Sequence, residues 1–352
     1  MNFKMTIPPK LPPVPPLDNA AQQAALDRQK QLTKPSGALG RLEILSVQLA
    51  GMTGRLDWLP QSPAVIVCAG DHGIAERGVS AYPRSVTKQM VLNMLNGGAA
   101  INVLARQMGA SLTVVDAGVA GILPQHPNLI AGKINYGTAD FSTVSAMSPG
   151  QADQAITLGQ RVADAHIDDG ADILLVGELG IGNTTAAAAI TAAVTGAPAE
   201  RVTGTGTGIN LEKLERKINL IETALQVHDP VHVDTLAKLG GYEIAAIVGV
   251  ILGAAVRQVP VVLDGYVVAS AALIAAHLDT NAVMYMVAGH CSAEPGHAAA
   301  LQALGLKPLL ELSMRLGEGT GAVLALPIIE AAMRTLQEMS TFGEAGVSGP
   351  LH

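Results

Sequence analysis

Two glutamates set among glycines, Glu178 and Glu318, are the residues whose surroundings suit proton transfer or the balancing of a developing charge. Glu318 lies in Arg315-Leu316-Gly317-Glu318-Gly319-Thr320-Gly321, a single carboxylate among three glycines just ahead of an apolar helical stretch over residues 322–332. Glycine lets the backbone approach a ligand and take positive φ at little steric cost, and an apolar flank desolvates a carboxylate and raises its proton affinity toward that of a useful base. The same placement also suits a helix start with the acid favoured by the helix dipole, and the segment alone leaves both readings open.

Glu178 is followed by Gly180-Ile181-Gly182-Asn183-Thr184-Thr185, which links an apolar run at 173–176 to a helical stretch at 186–194. Backbone N–H groups and hydroxyls at such a helix start can receive a phosphate, although Thr184 could equally be a simple N-cap. A second glycine–threonine nest, Thr203-Gly204-Thr205-Gly206-Thr207-Gly208, precedes a helix carrying Lys217 and again suits phosphate or ribose oxygens. A flexible loop and a solvated lysine would read the same way. No Gly-Lys-Ser/Thr follows either nest, so neither is a P-loop, and the Gly-x-Ser-x-Gly elbow of serine hydrolases is absent. The histidines are scattered without metal-ligand spacing, so neither a metal nor another cofactor is expected. Two carboxylates, two anion nests and an apolar wall suit transfer at a phosphorylated sugar, and such a site could serve several reactions.

The elements that must position these groups follow an α/β pattern. From residue 64 short β-rich runs at 64–69, 112–115, 173–176, 261–263 and 283–287 alternate with Ala-rich helical stretches, which predicts parallel strands joined by crossover helices in a doubly wound sheet. Each run ends in polar, Gly-rich sequence, as in Gly70-Asp71-His72-Gly73, Asp264-Gly265 and Gly289-His290-Cys291-Ser292. Ligands of open α/β sheets bind outside the carboxyl ends of the strands, so these tips are expected to converge. Glycine and aspartate are ordinary turn residues and would account for any one tip, but less well for all of them. Before the sheet, a proline-dense arm over residues 8–16 leads to a helix capped by Asp18 and running to about Leu32, and a second helix follows Pro35-Ser36-Gly37. A further helix over about 327–339 precedes a Gly-rich tail expected to be poorly ordered. Residues 1–60 with 331–352 are expected to form a small helical domain beside a large catalytic domain at 61–330.

Composition narrows the class. Of 352 residues 49% are hydrophobic but only 3% aromatic, so the core must be built from small aliphatic side chains suited to close helix-on-sheet packing. A net charge of -7 without a basic run argues against nucleic acid as partner. Cys68 and Cys291 are the only cysteines and both fall in or just after apolar runs, which excludes a disulfide framework and fits a reducing compartment. Prolines interrupt residues 1–17 where a signal peptide needs an apolar core, and the longest uncharged apolar run, 244–256, is short of the roughly 20 residues of a membrane span. A soluble cytoplasmic protein is expected.

Several segments together resemble one family, the nicotinate-nucleotide:dimethylbenzimidazole phosphoribosyltransferases of cobalamin assembly. They are Thr33-Lys34-Pro35-Ser36-Gly37-Ala38-Leu39-Gly40-Arg41-Leu42-Glu43, Ala69-Gly70-Asp71-His72-Gly73, Gly78-Val79-Ser80-Ala81-Tyr82-Pro83, Asn96-Gly97-Gly98-Ala99-Ala100-Ile101-Asn102, the stretch 177–185, His290-Cys291-Ser292-Ala293-Glu294-Pro295-Gly296-His297 and the stretch 315–321, in family order from 33 to about 335. The resemblance implies a Rossmann-like large domain, a small helical domain from both termini, and a homodimer. It implies transfer of the 5-phosphoribosyl group of nicotinate mononucleotide to 5,6-dimethylbenzimidazole, with inversion at the anomeric carbon and no metal. By family match Glu318 is the base and Glu178 holds the ribose or balances oxocarbenium-like charge. Ser80, Tyr82, Gln89 and Leu316 form the acceptor wall. Gly180, Gly182, Asn183, Thr184, Gly206 and Lys217 hold the donor's phosphate and ribose, and Ser292 lies near the nicotinate. Two departures stand out: many relatives carry arginine where Thr205 stands and proline or serine where Ala186 stands, and the first removes a possible phosphate cation. A non-catalytic sensor of α-ribazole, or the same transfer to another azole, a purine or a phenol, are the competing readings. A sensor has no need of a desolvated base beside the acceptor.

Overall fold

The computed structural model describes residues 12–230 and 234–349. Six parallel strands form one sheet: β1 (Pro63–Gly70), β2 (Ser111–Gly118), β3 (Leu129–Ala131), β4 (Ile173–Leu179), β5 (Val261–Leu263) and β6 (Met286–Ala288), in the order β3-β2-β1-β4-β5-β6. The order runs one way from β1 through β2 to β3 and the other way from β4 through β5 to β6, so the chain changes direction between β1 and β4. At such a switch point the outgoing loops diverge and leave a crevice at the carboxyl ends of the two strands. Every residue of β1 is buried, the mark of a strand covered by helices on both faces.

The small-residue composition becomes physical in the layer behind the sheet. Helix Tyr242–Val256 is buried along nearly its whole length and lies against helix Pro149–Asp168. A Cβ at Gly249 would stand 1.9 Å from the Ile156 carbonyl oxygen, and one at Gly159 would stand 1.8 Å from that of Ala246. The two backbones therefore touch, and dispersion over that contact replaces what aromatic rings supply in other cores.

The N-terminal part follows the sequence closely. Asp18 caps helix Asn19–Gln31 by accepting from the Ala21 N–H at 2.9 Å, and helix Arg41–Thr53 follows. Both lie against helix Leu326–Glu338, where the Arg28 guanidinium donates to the terminal carbonyls of Leu336 and Gln337. Of the proline-dense arm, residues 8–11 fall outside the described residues. The rest is tied down, since Val14 is buried, its N–H donates to Asp279 Oδ2 at 2.9 Å and its carbonyl accepts from Asn281 Nδ2 at 2.8 Å.

Three local expectations are corrected, and one strand is additional to those expected. The run 283–287 is not a strand throughout: a 3-10 helix, Thr280–Tyr285, takes its first half and β6 starts at Met286. The apolar stretch 322–332 is two helices, Thr320–Leu324 and Leu326–Glu338, because Pro327 lacks the N–H needed to continue the first and starts the second. β3, with three residues, is too short to give a periodic signal. In the Gly-rich tail Thr341 forms a capping box with Glu344 and starts the short helix Phe342–Ala345, while residues 350–352 lie outside the described residues.

Candidate active site

The carboxyl ends of β4, β5 and β6, with segments from 79–82, 206–207 and 315–317, enclose a cleft of about 360 Å³ beside the switch point. Glu178, at the tip of β4, is half-buried and lines it. Burial first, then the neighbouring Asp264 and Glu243 carboxylates, push its pKa up to about 8, against a hydrogen bond from Asn183 Nδ2 to Glu178 Oε2. Gly182 takes a left-handed φ of 96° and forms the N-cap of helix Asn183–Thr195, which turns Asn183 back onto Glu178. The Ile181 N–H is held from below by Thr87 Oγ1 at 3.0 Å.

Thr184 is not the N-cap. Its hydroxyl faces the second nest and accepts from Lys217 Nζ at 2.9 Å, while the same ammonium donates to the Gly204 carbonyl at 3.1 Å. Lys217 is fully buried, so the solvated-face reading is excluded; burial lowers its pKa to about 8, opposed by Glu294. Glu294 is buried too and accepts from the Gly206 N–H at 2.9 Å. Lys217 thus stands behind Thr184 and Gly206, which line the cleft, rather than in its wall.

Glu318 is placed by an unusual backbone. It has φ 65° between Gly317 at 84° and Gly319 at 88°, three left-handed residues in succession. For a residue with a Cβ that conformation costs roughly 1–2 kcal/mol, and it must be imposed from outside. Asp264, at the tip of β5, imposes it by accepting from the Gly319 N–H at 3.0 Å and the Gly321 N–H at 2.7 Å. The Glu318 N–H completes the docking by donating to the Glu178 carbonyl at 3.2 Å. Contact with β4 is so close that a Cβ on Gly177 would stand 2.2 Å from the Gly319 nitrogen. The Glu318 side chain is 3% exposed, and burial raises its pKa against a hydrogen bond from the Ile101 N–H. Its Oε2 has no hydrogen-bond partner. Leu316 and Gly317 line the cleft, whereas Glu318, the next residue, is buried and does not.

The remaining candidates divide. Ser80, Tyr82 and Ser292 line the cleft with Gly180, Gly182, Asn183 and Gly206, whereas Gln89 is exposed on helix Ser85–Leu95 and does not. Sequence reasoning assigns no role to Asp264, Glu294 or His290. The available signal for Asp264 was its position at a strand tip directly before Gly265, the same habit as Glu178. His290 lines the cleft 3.5 Å from Asp264 Oδ1, and its Nδ1 has no partner. Among the described residues no cluster of His, Cys, Asp and Glu is arranged to hold a metal ion, and no helix is long and apolar enough to cross a membrane.

A half-buried carboxylate, a second one buried next to a cleft-lining segment, and a lysine-backed anion nest can bind a sugar phosphate and accept a proton next to it. Comparison with known proteins points the same way. A family profile described as phosphoribosyltransferase matches residues 14–347. The nicotinate-nucleotide–dimethylbenzimidazole phosphoribosyltransferase of Chloroflexus aggregans is 59% identical over 95% of this chain and 95% of its own length. Its namesake from Roseiflexus sp. is 58% identical over 95% of this chain and 96% of its own. A crystal structure of the enzyme of that name from Thermus thermophilus superposes with a TM-score of 0.91 at 46% identity, covering 95% of this chain and 100% of that one. The chain belongs to the nicotinate-nucleotide–dimethylbenzimidazole phosphoribosyltransferase family.

Proposed function

We infer that the chain transfers the 5-phosphoribosyl group of nicotinate mononucleotide to 5,6-dimethylbenzimidazole, forming α-ribazole 5'-phosphate and releasing nicotinate. The observation that carries the chemistry is the buried Glu318 carboxylate with one oxygen unpartnered, docked by its own N–H on the tip that bears Glu178. The donor's pyridinium nitrogen is already positive, so the C1'–N bond breaks with its electron pair returning to nicotinate and no general acid is needed. One azole nitrogen attacks C1' from the opposite face. As that bond forms the ring becomes cationic, and the N–H on its other nitrogen gives its proton to Glu318. A base kept dry, with raised proton affinity, takes that proton more readily than a hydrated carboxylate.

In this reading Glu178 faces and holds the ribose, and its ionised form, which becomes the major one above about pH 8, balances charge that develops at C1'. The nest of Gly180, Gly182, Asn183 and Thr184 and the loop at Gly206 take the phosphate and ribose, with Lys217 supplying the positive charge behind them. Ser80, Tyr82 and Leu316 bound the acceptor, and Ser292 lies by the nicotinate. For the azole to meet Glu318, the Leu316 side chain must be part of its pocket wall; exposed Leu316 is free to move aside.

The same reading divides the chain into a small helical domain, 1–60 with 331–352, and a catalytic domain, 61–330. It makes the active form a cytoplasmic homodimer. Sedimentation of the purified protein tests the dimer. Mixing the two substrates with the protein tests the activity: nicotinate and α-ribazole 5'-phosphate should appear in equal amounts, and their absence at saturating substrate would refute the assignment.

A further inference from the structure

The loop at 203–208 is gripped from four directions, and two of the grips lead away from the phosphate nest. On the nest side Lys217 Nζ holds the Gly204 carbonyl at 3.1 Å and Glu294 Oε1 holds the Gly206 N–H at 2.9 Å. On the other side Arg315, just before Leu316 and Gly317, donates from Nη1 to the Gly206 carbonyl at 2.7 Å. One residue further, the Thr207 hydroxyl accepts from the Ala81 N–H at 2.9 Å and is 3.1 Å from Ser80 Oγ, which in turn accepts from the Tyr82 N–H at 3.2 Å. Adjacent planar peptides have only two soft torsions between them, so the place of Gly206 largely sets that of the Thr207 hydroxyl.

We propose that Thr207 is a positioning residue that couples occupancy of the phosphate nest to the shape of the acceptor wall, with Arg315 as the second strand of the same link. This rests on the functional reading above and adds to it a linkage between the two substrate sites. A phosphate seated against Thr184 and Gly206, with Lys217 behind them, adds a further hold on the loop, the loop fixes the Thr207 hydroxyl, and that hydroxyl holds Ser80, Ala81 and Tyr82 in the arrangement the azole meets. Linkage of this kind is reciprocal, so the azole must also favour phosphate binding by the same factor.

The test uses the full-length protein with inorganic phosphate as probe of the nest and 5,6-dimethylbenzimidazole as acceptor, so that no turnover occurs. Calorimetric titration of the azole with and without saturating phosphate should give a dissociation constant about five-fold or more lower with phosphate, a factor at the low end of ordinary couplings. In Thr207→Val, which keeps the shape and removes the hydroxyl, the ratio of azole affinities with and without phosphate should fall to one. Arg315→Met, at an exposed side chain, should reduce the effect in part. Independent binding of the two ligands in the wild type, or an undiminished phosphate effect in Thr207→Val, overturns the coupling and leaves the functional reading standing. If neither ligand binds, the functional reading itself fails.

Discussion

The segment bearing Glu318 and the turn after Glu178 have similar sequences, since both are glycine-rich links into helices. Their side chains nevertheless meet different surroundings. After Glu178 one glycine, Gly182, takes a left-handed φ, and the resulting turn brings Asn183 onto a carboxylate that faces the cleft. Around Glu318 three successive residues are left-handed, Asp264 holds the N–H groups that follow, and the carboxylate is turned inward with one oxygen bare. Burial raises both pKa values. Proton affinity thus follows from desolvation at either site, whereas the proposed tasks follow from what each carboxylate would reach: an amide and the ribose side in one case, an incoming N–H in the other.

The sharpest way to break this contrast is to neutralise each acid in turn. Glu318→Gln should lower kcat by about 10²- to 10⁴-fold, the usual worth of a positioned base, with the KM for nicotinate mononucleotide little changed. Steady-state assay of nicotinate release decides it, and equal turnover in the variant would remove Glu318 from the mechanism. On the donor side Lys217→Met should mainly raise the KM for nicotinate mononucleotide, by about 10- to 100-fold, as expected for losing a charged hydrogen-bond donor of roughly 1.5–3 kcal/mol. A thermal melt run alongside would separate that effect from the cost of leaving Glu294 buried without its cation.

A third test drives a wedge between the two segments. Gly177→Ala forces a Cβ to within 2.2 Å of the Gly319 backbone nitrogen, and that atom is backbone and cannot swing away. A loss of about 1–3 kcal/mol is expected, the scale of an overpacked core, read as a lowered urea midpoint. The fall in kcat should exceed the fall in donor affinity, because the Glu318 loop is what moves. Should stability stay unchanged, the close docking of that loop on β4 is wrong.

The smallest effect is on pH dependence. The folded-state pKa of Glu178 is raised from 4.5 to about 8, so folding favours its neutral form; that contribution is fully present below pH 4.5 and is lost as pH rises through about 8. A glutamine in its place would stay neutral throughout. The melting temperature of Glu178→Gln minus that of the wild type should therefore increase between pH 4.5 and about 8 and level off above. Taking the difference matters, because His297, lowered to about 4, loses stability in the opposite direction as pH falls. A flat difference would mean that Glu178 is better hydrated than its place at the tip of β4 implies.

Much of this was readable before any coordinates. Apolar runs ending in polar, Gly-rich sequence marked the strands, because a parallel strand buried on both faces leaves a contiguous apolar signal and its outgoing turn needs glycine; of the five tips expected to converge, those of β4, β5 and β6 line the cleft and those of β1 and β2 do not. The helix start at Asp18 was readable for the same local reason, a cap acting over three residues. β3 was missed because three residues carry no period, and the start of β6 was misplaced because a 3-10 turn of apolar residues looks like a strand.

What the sequence determined by itself was therefore the local vocabulary: which segments are strands and helices, which carboxylates sit among glycines, and which threonines precede helices. Tertiary structure decided the roles. Lys217 reads as one polar position on a helix, and only the packing of helix Leu211–His228 against the nest turns it into a buried cation. Thr184 reads as a cap and becomes the acceptor of that cation. Asp264 reads as a turn residue and becomes the clamp on the Glu318 loop, 55 residues away in sequence. Desolvation and hydrogen-bond partnership are properties of what surrounds a side chain in space, and contacts across such separations leave no periodic trace in the chain.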